Sequence, residues 1–435
     1  VMNKKLVLTI ISILCFSILV ACNGGKNSTG GSTESSGGKS GGEEKKLTLW
    51  HIETGNNVTV LENAVKRFED KHEGVSVEVV QVENDPYKTN LVVAMGGGNP
   101  PDVFHSWGGG WLKQFSDAGQ VLELTDKIDA DNYIPAAISP ATFDEKVFGA
   151  PLALSGVPVY YNKDIFEKYN LTPPTTYDEL LTIIDTLNEN KVIPFAIANQ
   201  SKWPGAFYLM YFADRLAGNE LFNNAFGREG RGFDDPVYVK AGEMIQELVE
   251  KKAFPNGFNG LNYDTGQSRQ LIYSEQAAMI LQTTGFINNL RSEAPKDFEK
   301  KIDIFNFPAI EGGKGDPTNV VGGVSPVFSV AAKSANPDLA VELVKELTSL
   351  ETAQDATDNG GKIPAVKGVE IKDEFIQKVN DLLSNANSMQ TFYDQTLPPE
   401  LGELHKDTTQ AIFGLEMTPQ EAADAMEKKA KEILK

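Results

Sequence analysis

With 435 residues and 41% apolar side chains, the chain has the composition of a soluble globular protein and is too long for one ordinary core, so two lobes are expected. A formal net charge of −20 argues against nucleic acid as a partner. Only two cysteines occur, Cys15 and Cys22, both in the N-terminal segment read below, so no disulfide is expected to staple the body.

Lys4 and Lys5 precede an apolar run, Leu6 to Val20, that is too short for an ordinary membrane span, and Leu19-Val20-Ala21-Cys22 closes it. This is the layout of a secretory signal, and its last four residues resemble the bacterial lipobox, where cleavage precedes a cysteine that carries a diacylglyceryl group. On this reading residues 1–21 are a lipoprotein signal peptide. Cys22 is then lipidated, and two acyl chains anchor the protein on the extracellular face of the cytoplasmic membrane. Residues 22–45, rich in Gly, Ser, Thr, Asn, Lys and Glu, read as a flexible tether. Gly38-Lys39-Ser40 ends like a phosphate-binding loop, but Thr33 stands where that motif needs its first glycine and no strand precedes it.

Leu47–Trp50 alternates like a strand, and Val58, Leu61, Val65 and Phe68 recur at helical spacing up to Gly74. Val75, Val77 and Val79 give a second strand. A helix over Tyr87–Met95 and a Gly96–Pro101 turn lead to a third strand, Asp102–His105. This order implies a parallel sheet covered by helices, with ligands beyond the carboxyl ends of its strands: His51–Asn56, Asn84–Tyr87 and Ser106–Trp111. A second unit begins near Val157, with a strand at Val159–Tyr161 and a helix from Lys163. Thr176-Tyr177-Asp178-Glu179 forms a capping box. Pro194–Ala198 is a further strand, ending at Asn199 and Trp203. Ala277–Leu281 and Val320–Ala331 read as strands returning through both units. Helices then start at Asn336-Pro337 and at Thr418-Pro419-Gln420-Glu421. Tyr160 and Tyr161 alternate faces, so one of them is expected to be buried.

Four stretches together resemble the sugar-binding solute-binding proteins of bacterial ABC importers. Gly97-Gly98-Asn99-Pro100-Pro101-Asp102-Val103 is similar to that family's G-x-x-P-D-V turn, and Val159-Tyr160-Tyr161-Asn162-Lys163-Asp164 to its Y-Y-N-K-D segment. Ala278-Met279-Ile280-Leu281 with Gly285-Phe286 resembles its A-M-x-x-x-G-x-W return strand, and Gly360-Gly361-Lys362-Ile363-Pro364 its late G-x-x-P loop. Phe286 stands where that return strand ends in tryptophan, which removes an indole donor. The resemblance covers about Lys45 to Lys435. It implies a two-lobe periplasmic-binding-protein-like α/β fold, each lobe a mainly parallel sheet flanked by helices, with ligand in the interlobe cleft. Residues 46–156 and 284–334 would form the first lobe, and 157–283 and 335–435 the second. The lobes would close on the ligand and dock on membrane permease subunits.

A sugar offers hydroxyls around its rim and apolar C–H faces, so a site needs flat aromatics beside carboxylates, amides and a few cations. Candidate ligand-binding residues are His51, Glu53, Asn56, Asp85, Tyr87, Trp107, Gly108, Tyr160, Asn199, Trp203, Gln282, Gly285, Phe286, Gly323 and Lys362. Trp107 and Trp203 stand between core and ligand platform, whereas Trp50 reads as core and Trp111 as packing behind its loop. Gly108–Gly110 is a turn or a place of close ligand approach. Lys362 is a ligand contact or a solvated loop charge. His51, His72, His105 and His405 are scattered, there is no H-E-x-x-H, and Gly323-Val324-Ser325-Pro326-Val327 misses G-x-S-x-G at its last position. Neither metal, cofactor nor catalytic residue is therefore expected. The reading is a monomeric, lipid-anchored receptor for an oligosaccharide of two to four units, with a peptide receptor as the alternative and a glycoside hydrolase as the enzymatic rival.

Overall fold

The structure, a computed structural model, describes residues 45–434. The signal peptide, Cys22 and all but the last residue of the tether lie outside the described residues. The first strands are β1 (Lys45–His51), β2 (Val75–Gln81) and β3 (Val103–Ser106). Leu47, Leu49 and His51 of β1 point into the protein while intervening residues keep some exposure, the alternation of a strand covered more deeply on one face. β1 pairs in parallel with both β2 and β3, as the sequence implies. Helix α1 (Asn56–Lys71) lays Val60, Leu61, Ala64, Val65 and Phe68 against this sheet. Helix α2 (Asn84–Gly97) is longer than its apolar pattern indicates and stops where Gly98 takes up a left-handed conformation.

The remaining strands are β4 (Thr142–Phe143), β5 (Lys146–Val147), β6 (Ala150–Pro151), β7 (Ala153–Gly156), β8 (Val159–Asn162), β9 (Ile193–Phe195), β10 (Ala277–Leu281), β11 (Ile302–Phe305), β12 (Val320–Val324), β13 (Val327–Val330), β14 (Ile363–Pro364) and β15 (Met389–Thr391). β4 and β5 form a small hairpin, and the others form three sheets: β2-β1-β3-β13-β6, β11-β8-β10-β9 and β14-β7-β12-β15. These sheets are mixed rather than mainly parallel. β13 runs antiparallel to β3, β10 antiparallel to β8 and β12 antiparallel to β7, because the chain crosses between lobes and returns in the opposite sense. The run expected as one strand over Val320–Ala331 is two. β12 joins the sheet containing β7 while β13 closes the first-lobe sheet, and Pro326 stands between them without an N–H for a ladder.

The lobe boundaries also differ from those expected. β11 hydrogen-bonds to β8, so residues 302–305 belong to the second-lobe sheet. The helices Pro337–Leu347 and Leu350–Asp358 instead bury Ala340, Val344 and Ala353 in the first-lobe core beside α1, through the apolar stripe each carries. Tyr160 and Tyr161 are both buried. The β8 sheet is covered on both faces, and the two rings enter different clusters. A capping box forms at Thr176 as read, and Thr418, read as a helix start, forms one as well. At Asn336 the side chain makes no cap, and its backbone N–H donates to Ser334 Oγ instead.

A buried cation ties the second lobe to the crossing segment. Arg215 donates to Asp214 Oδ2 at 2.6 Å and to the carbonyls of Phe307 (2.9 Å) and Asn319 (2.8 Å). Burial raises the Asp214 carboxyl above its ordinary range, against the pull of Arg215.

Candidate ligand-binding site

The carboxyl ends of β1 and β3 meet a loop that arrives from far along the chain. Past His51, the Glu53 N–H donates to His51 Nδ1 at 3.1 Å, which places the proton of the neutral ring on Nε2. Lys362, in the loop after Leu350–Asp358, pairs with Glu53 Oε2 at 2.8 Å. Lys362 is therefore an ion-pair partner and not a loose loop charge. Asn56 is exposed, and its N–H donates to Asn288 Oδ1 while its Nδ2 donates to the Asn359 carbonyl, each at 3.1 Å. Burial lowers the His51 pKa, as it does for His105 at the end of β3. The ammonium charges of Lys362 and Lys88 push the His105 pKa further in the same direction. His105 Nδ1 is buried without a hydrogen-bond partner.

A chain of perpendicular rings stands behind them. Tyr87 meets Trp107 at 5.8 Å, His105 meets Trp107 at 4.8 Å, Trp107 meets Trp111 at 5.1 Å, and Trp111 meets Phe115 at 5.1 Å. The Lys88 ammonium lies 4.9 Å from the Trp107 ring centre. Trp107 is only 6% exposed, and Tyr87, fully buried, donates its hydroxyl to the His105 carbonyl at 2.8 Å. The rings of Trp107 and Tyr87 thus pack on protein. Gly108 lies against Pro140, whose carbonyl oxygen would be 2.6 Å from an added Cβ, so the close approach there is made by the chain itself. Asp85 lies in the first turn of α2, and its side chain is outside those described.

Second-lobe candidates divide in the same way. Asn199 is buried as a loop lock: its Oδ1 accepts from Gly205 N at 2.9 Å and its Nδ2 donates to Asn259 Oδ1 at 2.7 Å. It fixes the start of the helix Trp203–Ala217, whose first residue, Trp203, stays partly accessible. The Trp203 ring meets Tyr263 at 4.5 Å and Phe207 at 5.5 Å, and its Nε1 has no partner. Phe207 leads to Phe392 at 5.5 Å, and Phe392 fills the space over Gly323. Tyr160 and Phe286 pack on each other at 4.8 Å, both fully buried, so Phe286 serves the core. Gln282 is buried and its Oε1 accepts from Thr283 N. Gly285 is exposed at the first turn of the helix Gly285–Glu293.

The lobes meet at the helix Tyr393–Thr396. Asp394 pairs with Lys88 of α2 at 3.1 Å, with side chains 10% and 23% exposed. Burial alone would raise the Asp394 carboxyl, but Lys88 and Lys406 outweigh it and hold the group below the usual range. Alongside, Gly109 and Gly110 of helix α3 (Gly109–Asp117) press on the backbone of residues 395–397. Lys88, His105, Tyr263 and Asp394 are the residues that sequence reading missed. Only His105 carried a signal, as a polar residue inside an apolar strand.

Residues 54–354 match the family of bacterial extracellular solute-binding proteins. The chain is 25% identical over 388 residues to the multiple sugar-binding protein of Streptococcus mutans, covering 87% of each. It is 25% identical over 418 residues to the galactooligosaccharide-binding protein of Bacillus subtilis, covering 93% of each. A solved structure from work on xylan utilization by Caldanaerobius polysaccharolyticus superposes with a TM-score of 0.83 at 29% identity, over 88% of this chain and 99% of that one. With its two lobes linked by crossing strands and a family match over most of its length, the chain belongs to the bacterial extracellular solute-binding proteins.

Proposed function

We propose that this chain is the receptor component of an ABC importer, binding an oligosaccharide of two to four units between its lobes and delivering it to permease subunits without chemical turnover. The observation that carries this reading is Trp203, which stays partly accessible at the start of its helix with its ring against Tyr263 and Phe207. An accessible aromatic face suits the apolar C–H face of a sugar ring. The ring cluster runs from Trp203 through Phe207 to Phe392, two residues before Asp394, which pairs with Lys88 of the other lobe. Of the residues expected from sequence, His51, Glu53, Asn56, Trp203 and Lys362 are those we assign to the ligand. The sugar-binding relatives support the ligand class. In this reading Cys22 carries the lipid anchor and the receptor acts as a monomer.

Isothermal titration with raffinose, isomaltotriose and xylotriose, followed by chromatography of the recovered sugar, tests the proposal. Heat of binding with unchanged sugar is expected. Silence with all three sugars and heat with oligopeptides would transfer the site to peptides, and cleaved sugar would make the protein an enzyme. Cys22→Ser is expected to release the protein from membranes, and its retention there would contradict the anchor.

A further inference from the structure

Trp203 does not stand alone. Tyr263, in the loop before the helix Gln267–Tyr273, meets it at 4.5 Å with ring planes 73° apart, so the two form a corner. Tyr263 keeps some accessible surface, while burial around its hydroxyl raises the phenol pKa. Its position is held from behind. The Arg269 guanidinium carbon lies 5.0 Å from the Tyr263 ring centre, and Arg269 Nη1 donates to the Tyr263 carbonyl at 2.9 Å. Arg269 is itself gripped by both oxygens of Glu293, at 2.7 and 2.9 Å, and Asn289 Nδ2 donates to one of them at 3.0 Å. A planar guanidinium held in this fork has little rotational freedom left, so the ring stacked on it has little either.

We propose that Tyr263 is a second stacking surface for the ligand, set at a fixed angle to Trp203, and that Arg269 is the positioning residue that sets that angle and so discriminates among glycosidic linkages. The inference rests on the sugar-binding reading above and adds to it the residues that choose among sugars. Two rings near 73° apart accept neighbouring sugar units only when the linkage turns the second unit by a similar angle. A linkage that keeps its units coplanar leaves one ring uncovered.

The test uses the full-length protein titrated with raffinose, isomaltotriose and xylotriose, with a thermal melt of every variant. Tyr263→Phe keeps the flat face and is expected to bind the preferred sugar within about threefold of the parent. Tyr263→Leu keeps apolar bulk without the face and is expected to lose about tenfold or more with the melting temperature unchanged. Arg269→Lys keeps the charge without the plane and is expected to change the ratio of affinities among the three sugars, which a purely structural role would leave alone. Parent-like binding by Tyr263→Leu, or ratios unchanged in a folded Arg269→Lys, would overturn the inference while leaving the receptor reading intact. Absence of binding by the parent protein to any of the three would overturn both.

Discussion

Trp107 in the first lobe and Trp203 in the second each follow a strand end, and sequence alone gives them equal claims to a ligand. Around Trp107, protein groups occupy every side: Tyr87, His105 and Trp111 at its edges and the Lys88 ammonium near its ring. Around Trp203, Tyr263 and Phe207 cover part of the ring, some surface stays accessible, and the indole N–H is unanswered. The difference shows that position past a strand end brings a side chain near a cleft, while its neighbours decide whether anything is left for a ligand to touch. In the first lobe those neighbours come from one compact stretch of chain, Tyr87 to Phe115. In the second they come from the helix that Trp203 opens, through Phe207, and from a distant loop, through Tyr263.

The sharpest way to break this comparison is Trp107→Ala. It should lower stability by about 3–5 kcal/mol in denaturant unfolding, as for a large buried aromatic, and leave the sugar affinity of folded protein within about threefold. A tenfold loss of affinity at unchanged stability would make Trp107 a ligand platform. The second lobe also has a sealed interior, and pH probes it. Burial lowers the His405 pKa to about 4, against an opposing pull from Asp394. An unfolded histidine titrates near 6.5, so the unfolded chain takes up the proton first as pH falls. Stability should then decline by about 3 kcal/mol between about pH 6.5 and 4, being fully present above that window. Calorimetry at pH 7 and 4.5 should show part of this decline missing in His405→Gln, and identical slopes would contradict the assignment. Trp203→Ala comes next, with binding weaker by about 1–3 kcal/mol and a small change in melting temperature. The reverse pattern would place that ring in the core. Smallest is Tyr87→Phe, which removes the hydroxyl donated to the His105 carbonyl and should cost about 1 kcal/mol of stability with sugar affinity unchanged.

The order of β1, α1, β2, α2 and β3 was legible because each element has its own period and its own turn signal, and the capping box at Thr176 and the helix start at Thr418 because their chemistry is local. What failed was non-local. Lys88 meets Asp394 across 306 positions and Lys362 meets Glu53 across 309, separations over which no periodicity in the chain speaks. The β12–β13 break was missed because both strands are apolar and only Ser325-Pro326 separates them. Phe286, Tyr160 and Asn199 stood among the candidate ligand residues, and the structure gives each of them protein partners. Tyr263 was overlooked for the converse reason: it lies in a loop with no strand end to mark it.

The contact of Gly109 and Gly110 with residues 395–397 has a mechanical consequence. A side chain caught between two packed parts can rotate aside, whereas two bare backbones cannot. An added Cβ at Gly110 would lie 2.6 Å from the Thr396 oxygen and 2.7 Å from the Leu397 oxygen, inside contact distance. At that point the halves are spaced by a shim already as thin as chemistry allows, and mutation can only thicken it. A single methyl there acts as a wedge. Its leverage grows with distance from the contact, so it would be felt most at the far rim of the cleft.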